Sequence, residues 1–272
     1  MMNVNGFLLI KSRLEMGDKE TVALPDKSRA LIYTHQGLGD QIECIGMIRH
    51  MADTFDEVHI LSKAQHLDSV KYIYQDNPKI NIHCIPLQNS NEYEAEKRWF
   101  VANFSSFDGE VFIPGHHNYF SKMGEFNQRQ VAAAPAFYEI LGIPYSLKFE
   151  KFYFQRDHLE ESRVYKKLNP NEEKYVFVHD DESRGFCMDL KTDYKIIRND
   201  VSENVFHMTK VLENAEEIHC MSSSMFCLID CMASSSLFET NLNKKRKLLH
   251  WNIRKVFLGK NYMGADNWEV LR

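Results

Sequence analysis

Along the chain, short apolar runs bounded by glycine, proline and polar clusters alternate with stretches whose apolar positions recur every three or four residues. The first strong run, Ala30 to His35, leads into a glycine-rich turn and has the near-continuous apolar character of a buried parallel strand. Ile42, Ile45, Ile48 and Met51 then recur at helical spacing, and Val58 to Leu61 returns to strand character. Together they make one βαβ unit. The alternation continues with a helix near His66 to Tyr74, a strand at Ile80 to Ile85, a helix within Asn91 to Ala102 and a strand at Glu110 to Pro114. A longer helix is predicted over Gln128 to Leu141, ended by Gly142 and stopped by Pro144. Upstream, Gly6 to Leu14 is a candidate for a further short strand.

Tyr145 to Asn171 carries aromatics, a charged helix (Arg156 to Leu168) and the turn Asn169-Pro170-Asn171, and reads as a linker. Beyond it the pattern predicts strands at Tyr175 to His179, Tyr194 to Ile197 and Glu217 to Met221. Helices are predicted over Val205 to Asn214 and Met225 to Met232, and short strands near Leu237 and Val256. Strands alternating with helices imply parallel sheets. The expected fold class is therefore α/β, with two Rossmann-like parallel-sheet domains facing a cleft. The first is placed at residues 1–150 and the second at 151–272, with a last helix expected to pack back on the first domain. A length of 272 residues agrees with two domains of roughly 100–200 residues each.

Composition narrows the partner. The formal charge is -5, so the chain has no overall basic footprint for nucleic acid or anionic lipid, and a small-molecule partner fits better. The run Lys244 to Lys247 reads as a solvated turn. Six cysteines show no C-x-x-C pair and no disulfide spacing, which points to reduced core residues and no metal. No apolar run approaches the roughly 20 residues a membrane span needs, and the run Phe7 to Ile10 is too short for a signal core. A soluble cytoplasmic protein is expected.

Four places could carry chemistry. Gly37-Leu38-Gly39-Asp40 joins the first strand to its helix, at the carboxyl edge where open α/β sheets bind ligands. A dinucleotide site is disfavoured there, because Ile42 replaces the third glycine of G-x-G-x-x-G and the next strand ends at Ser62-Lys63 with no acid for a ribose. Asp40 is either a helix cap or a general base, and His35 is the alternative base. His116, His117 and Asn118 follow another predicted strand, so they form an exposed polar loop or point into the same cleft, to bind hydroxyls or, for His117, to act as base. His179 ends a strand and is followed by Asp180-Asp181-Glu182-Ser183-Arg184-Gly185. There Arg184 is suited to bidentate contact with a diphosphate or to a surface ion pair. Ser222-Ser223-Ser224 precede a helix and can cap it or bind phosphate.

Gly37 to Asp40 resembles the N-terminal G-x-G-D element of heptosyltransferase-like GT-B glycosyltransferases, in which the aspartate faces the acceptor as general base. Ser222 to Ser224 resembles the serine-rich turn before the donor-domain helix of fucosyltransferase-type GT-B enzymes. The combination is also similar to compact glycosyltransferases of large algal viruses and marine microbes. The resemblance implies an enzyme that moves a sugar, such as xylose, fucose or rhamnose, from a nucleoside-diphosphate sugar to a glycan hydroxyl with inversion and without a metal or other cofactor. It assigns Asp40 to catalysis, beside which the residues themselves offer His35 and His117 as alternative bases and His116 and Asn118 as acceptor contacts. The donor diphosphate falls to Gly37, Gly39, His179, Ser183, Arg184 and Ser222 to Ser224. Two other readings remain open: a metal-dependent GT-A enzyme with Asp180 and Asp181 holding the cation, and a nucleotide- or glycan-binding module without turnover.

Overall fold

The computed structural model describes residues 28–86, 93–182, 185–242, 247–252, 263–264 and 268–271. The candidate strands at Gly6 to Leu14 and near Val256 lie outside the described residues. Two parallel sheets organise the chain. The first contains β1 (Arg29–Ile32), β2 (Glu57–Lys63), β3 (Ile80–Ile85) and β4 (Glu110–Phe112) in the order β3-β2-β1-β4. Ile32 pairs with Ile60 of β2 and Phe112 of β4, and Ala30, Leu31 and Ile32 are almost wholly buried, as expected of a central parallel strand. The second contains β5 (Tyr175–His179), β6 (Lys195–Arg198), β7 (Glu217–Met221), β8 (Lys247–Trp251) and β9 (Trp268–Leu271) in the order β6-β5-β7-β8-β9.

The predicted strands at Ile80, Tyr175 and Glu217 match to the residue. Leu237 is instead exposed in a bend, and the chain next forms β8 ten residues later. The last described element is the strand β9, so no final helix packs back on the first sheet among the described residues. The single helix expected from Ile42 onward is two: α1 (Leu38–Glu43) and α2 (Ile45–Thr54), interrupted at Cys44. It is followed by α3 (Leu67–Tyr74) and α4 (Tyr93–Phe104).

His116 to Asn118 open a helix, α5 (His116–Gln128), where a loop was one expectation. Among its described residues Phe126 is the one fully buried large side chain; Phe120 and Met123, which share its apolar stripe with Tyr119, are exposed. The helix expected from Gln128 begins only at α6 (Ala133–Leu141). It ends where predicted, at Gly142 in the left-handed region (φ 68), whose N–H donates to the Glu139 carbonyl at 3.0 Å.

The segment expected to be a linker is packed between the sheets. It holds α7 (Leu147–Glu150), an extended stretch in which Phe152 and Phe154 are fully buried, and α8 (His158–Leu168), capped by Asp157. The remaining helices are α9 (Thr209–Asn214) and α10 (Ser224–Ser234). α1 lies against α10, and one apolar cluster runs from Ile42, Ile45 and Phe137 on the first side to Met225, Phe226 and Leu228 on the second. Lys148, almost wholly buried, sits in this seam and contacts Glu43 at 2.6 Å and Asp230 at 3.2 Å. Burial opposes its charge, but the two carboxylates outweigh that and hold its pKa well above the lysine range. Asp230 also accepts hydrogen bonds from the Gly264 N–H at 2.9 Å and from Trp268 Nε1 at 3.0 Å.

Candidate functional site

In an open parallel sheet, ligands bind outside the carboxyl ends of the strands where the strand order reverses. Those points lie between β1 and β4 in the first sheet and between β5 and β7 in the second. The first is flanked by residues 33–40 and 113–120, the second by residues after His179 and by Ser222 to Ser224. The motifs singled out from sequence therefore occupy both points.

At the first point a cavity of about 290 Å³ is lined by His35, Asp40, Lys63, Tyr93, Glu96 and His116, together with Gln36, Gly37, Gln65, His66 and Phe120. Its floor is braced by buried amides. Gln36 donates to the Thr34 carbonyl (2.9 Å), and Gln41 donates to Gln36 Oε1 (3.2 Å) and the Leu61 carbonyl (3.0 Å). Gly37 is the N-cap of α1 in extended geometry, and Asp40 stands three residues on, with its carboxylate accepting the Gly37 N–H. That is one half of a capping box. Asp40 still opens to the cavity, with 36% of its side chain exposed. Surrounding protein atoms and then the nearby Glu43 raise its pKa to about 7, against the pull of two backbone N–H groups.

The histidines differ. His35 Nδ1 lies 3.9 Å from Asp40 Oδ1, beyond hydrogen-bond range, and burial lowers its pKa to about 4. Its ring is held edge-on to Phe137 (4.9 Å) and to His116 (4.6 Å). His116 adopts φ 44, in the left-handed region that a non-glycine residue rarely occupies. It is placed there by Gly115, where a Cβ would stand 2.6 Å from the His35 nitrogen, so the chains after β1 and β4 approach closely only because that residue is glycine. The His116 ring bonds the Thr34 backbone, and its Nε2 lies 3.4 Å from Glu96 Oε2. Burial, followed by His35 and Lys63, lowers its pKa to about 3. Both imidazoles are neutral at physiological pH. The side chain of His117 lies outside the described residues, and Asn118 uses its amide to cap β4, donating to the Ile113 carbonyl at 2.8 Å.

Sequence reading missed Lys63, Tyr93 and Glu96. Lys63 at the end of β2 is buried and in direct ion-pair contact with Glu96 of α4. Nothing local signals this pair, because its members are 33 positions apart.

At the second point, Ser223 caps α10. Its Oγ accepts the Phe226 N–H (3.2 Å) and donates to the Met221 carbonyl (3.1 Å), which commits its one proton within the turn. Ser222 Oγ is hydrogen-bonded to the buried His250 Nε2 at 3.0 Å, a partner that the sequence did not suggest. Ser224, the first helical residue, faces the first domain: a Cβ on Gly39 would lie 3.7 Å from the Ser224 nitrogen. The two turns therefore abut. His179 is half-buried at the end of β5, opposite Cys220. Ser183 and Arg184 lie outside the described residues. Asp180 accepts the Met188 N–H at 3.1 Å and is 3.3 Å from Arg198 Nε, while Asp181 closes a two-residue bridge with Phe186. Among the described residues no group of three or more His, Cys, Asp or Glu side chains is placed to hold a metal, and no helix is long and apolar enough to cross a membrane. A larger hollow of about 590 Å³, bordered by Arg129, Pro135, Glu139 and Tyr145, shares no residue with the site. Its guanidinium is tied to Glu139 by two 2.7 Å bonds.

No protein-family model and no curated protein matches the chain. Among solved structures it is similar to a glycosyl transferase family 9 protein from Veillonella parvula DSM 2008, with a TM-score of 0.54, 9% identity, and coverage of 91% of this chain and 86% of that one. The E. coli ADP-heptose lps heptosyltransferase II follows with a TM-score of 0.46, 10% identity, and 90% of each chain covered. The E. coli heptosyltransferase WaaC, solved with ADP-2-deoxy-2-fluoro heptose, gives 0.43 at 11% identity over 90% of this chain and 93% of that one. The first of these carries the fold assignment: the chain has the two-domain, parallel-sheet GT-B architecture of that glycosyl transferase family 9 structure.

Proposed function

We propose that the chain is a glycosyltransferase that moves a sugar from a nucleoside-diphosphate sugar to a glycan hydroxyl, with inversion and with Asp40 as the general base. The observation that carries the reading is Asp40 itself, a carboxyl open to the cavity at the β1/β4 reversal with its pKa raised to about 7. An acceptor hydroxyl must lose its proton as its oxygen attacks the anomeric carbon, and a base works best when its pKa lies near the working pH. His35 and His116, held near 4 and 3, are far weaker bases. As the new glycosidic bond forms, the bond from the anomeric carbon to the diphosphate breaks and the proton passes to Asp40. The N–H groups that open α10, with Ser224, Ser222 and Arg184, receive the departing diphosphate. Gly39, which meets Ser224, keeps the two halves of the reaction adjacent.

The donor site on this reading uses helix dipole and side chains in place of a cation, so turnover survives excess EDTA. Loss of turnover on chelation, with recovery on Mn²⁺ or Mg²⁺, transfers the diphosphate to a metal held near Asp180 and Asp181. The test of the base is single-turnover kinetics of Asp40→Asn, His35→Ala and His117→Ala at saturating donor. Wild-type rate in Asp40→Asn with failure of a histidine variant moves the base to that histidine.

A further inference from the structure

The cavity beside Asp40 also carries information about which acceptor it takes, an inference that rests on the glycosyltransferase reading. Its walls are of two kinds. Tyr93 and Phe120 present aromatic rings, set nearly perpendicular at 83° with centroids 5.7 Å apart, and Phe120 is half exposed at the mouth. Such rings cover the C–H face of a sugar, while His35, His66, Gln65 and His116 supply polar edges for hydroxyls. The volume of about 290 Å³ is at the lower end of ligand pockets, roughly 300–1,000 Å³, and suits one sugar ring.

The charges in this cavity then select among sugars. Lys63 is the one cation on the wall, and its ammonium is in contact with the Glu96 carboxylate, both side chains at least 95% buried. The three histidines on the wall add no positive charge at neutral pH: burial lowers the pKa of each of them. What remains is the Asp40 carboxylate. An acceptor bearing a carboxylate or phosphate enters a cavity whose cation is already neutralised and whose remaining charge repels it. A sugar bearing only hydroxyls carries no charge for Asp40 to repel and meets the neutral polar edges of His35, Gln65, His66 and His116.

We infer that this subsite takes a neutral, hydroxyl-only sugar ring as acceptor and rejects acidic sugars, with Glu96 as the specificity-determining residue because it neutralises Lys63. Glu96→Gln leaves Lys63 charged beside the cavity and admits the acidic sugars.

Matched pairs of methyl glycosides test this in saturation-transfer NMR titrations on the full chain at pH 7.5: glucoside against glucuronoside, and galactoside against galacturonoside. The neutral member of at least one pair binds the wild type more tightly than its uronoside, by roughly tenfold, and Glu96→Gln reverses the order. Uronosides that bind the wild type as well as or better than the neutral sugars overturn the inference. So does a folded Glu96→Gln with an unchanged ratio. If that variant does not fold, the wild-type ratio decides alone. If no glycoside binds while UDP, GDP or ADP does, the acceptor subsite is wrong and donor binding stands. If none of the nucleotides binds either, the glycosyltransferase reading itself falls.

Discussion

The two strand-order reversals of this molecule are built from opposite materials. At the β1/β4 point the side chains are large, aromatic or ionisable, and several have shifted pKa values: Asp40 upward, His35 and His116 downward. At the β5/β7 point the turn is made of small hydroxyl residues at a helix start, one of them consumed as a cap. On the proposed function, the first end would move the proton and the second would hold the diphosphate charge with backbone. The difference teaches where to look for each part of a group transfer, since perturbed carboxyls mark chemistry and exposed N–H groups mark anchoring.

The largest effect that would break this contrast comes from Asp40→Asn. Turnover drops by about 10²–10⁴-fold, as loss of a general base does, with donor affinity nearly intact. Wild-type kcat falls as pH drops through about 7, since protonation silences the base, and the variant lacks that limb. The sign for stability is opposite. A carboxyl whose folded pKa is raised contributes stability only while protonated, so at pH 8 the Asn variant melts higher than wild type. Below the unfolded aspartate range the gain disappears. Equal melting temperatures at pH 8 with equal rates would leave Asp40 as a helix cap only.

The seam that holds the two points together is tested next. Lys148→Met leaves Glu43 and Asp230 buried without their cation and costs about 3–5 kcal/mol of stability in denaturant unfolding. The loss is smaller at pH 5 than at pH 8, because burial already raises the Glu43 pKa and protonation relieves the repulsion. A pH-independent loss would mean that the lysine matters by packing alone.

The smallest effect separates two neighbouring serines. Ser223→Ala removes a cap and costs about 1 kcal/mol of stability while leaving nucleotide affinity close to wild type. Ser224→Ala spares the cap and weakens nucleoside-diphosphate binding by about 1.5 kcal/mol in calorimetry, the value of one hydrogen bond to a charged group. The reverse pattern would place the anchoring proton on Ser223.

Much of the frame could be read in the sequence, because buried parallel strands such as Tyr175 to His179 must be apolar throughout and helix ends such as Gly142-Ile-Pro144 need special residues. The turn at Gly37 to Asp40 was legible for the same reason. What escaped was pairing at a distance. Lys63 with Glu96, Ser222 with His250, and Lys148 with Glu43 and Asp230 are contacts between elements, and no local period announces them. The helix α5 escaped because it is mostly solvated, and the supposed linker was misread because Phe152 and Phe154 are buried in a segment without regular secondary structure.

The apolar cluster that crosses from α1 and α6 to α10 has a thermodynamic consequence. Melting the first sheet would strip cover from Met225 and Phe226, and melting the second would strip it from Ile42 and Ile45, so a state with one half melted exposes apolar surface of the other. The shared cluster therefore predicts cooperative unfolding of the two sheets, checked by calorimetry as a single heat-absorption peak; two resolved peaks would show that the halves melt independently.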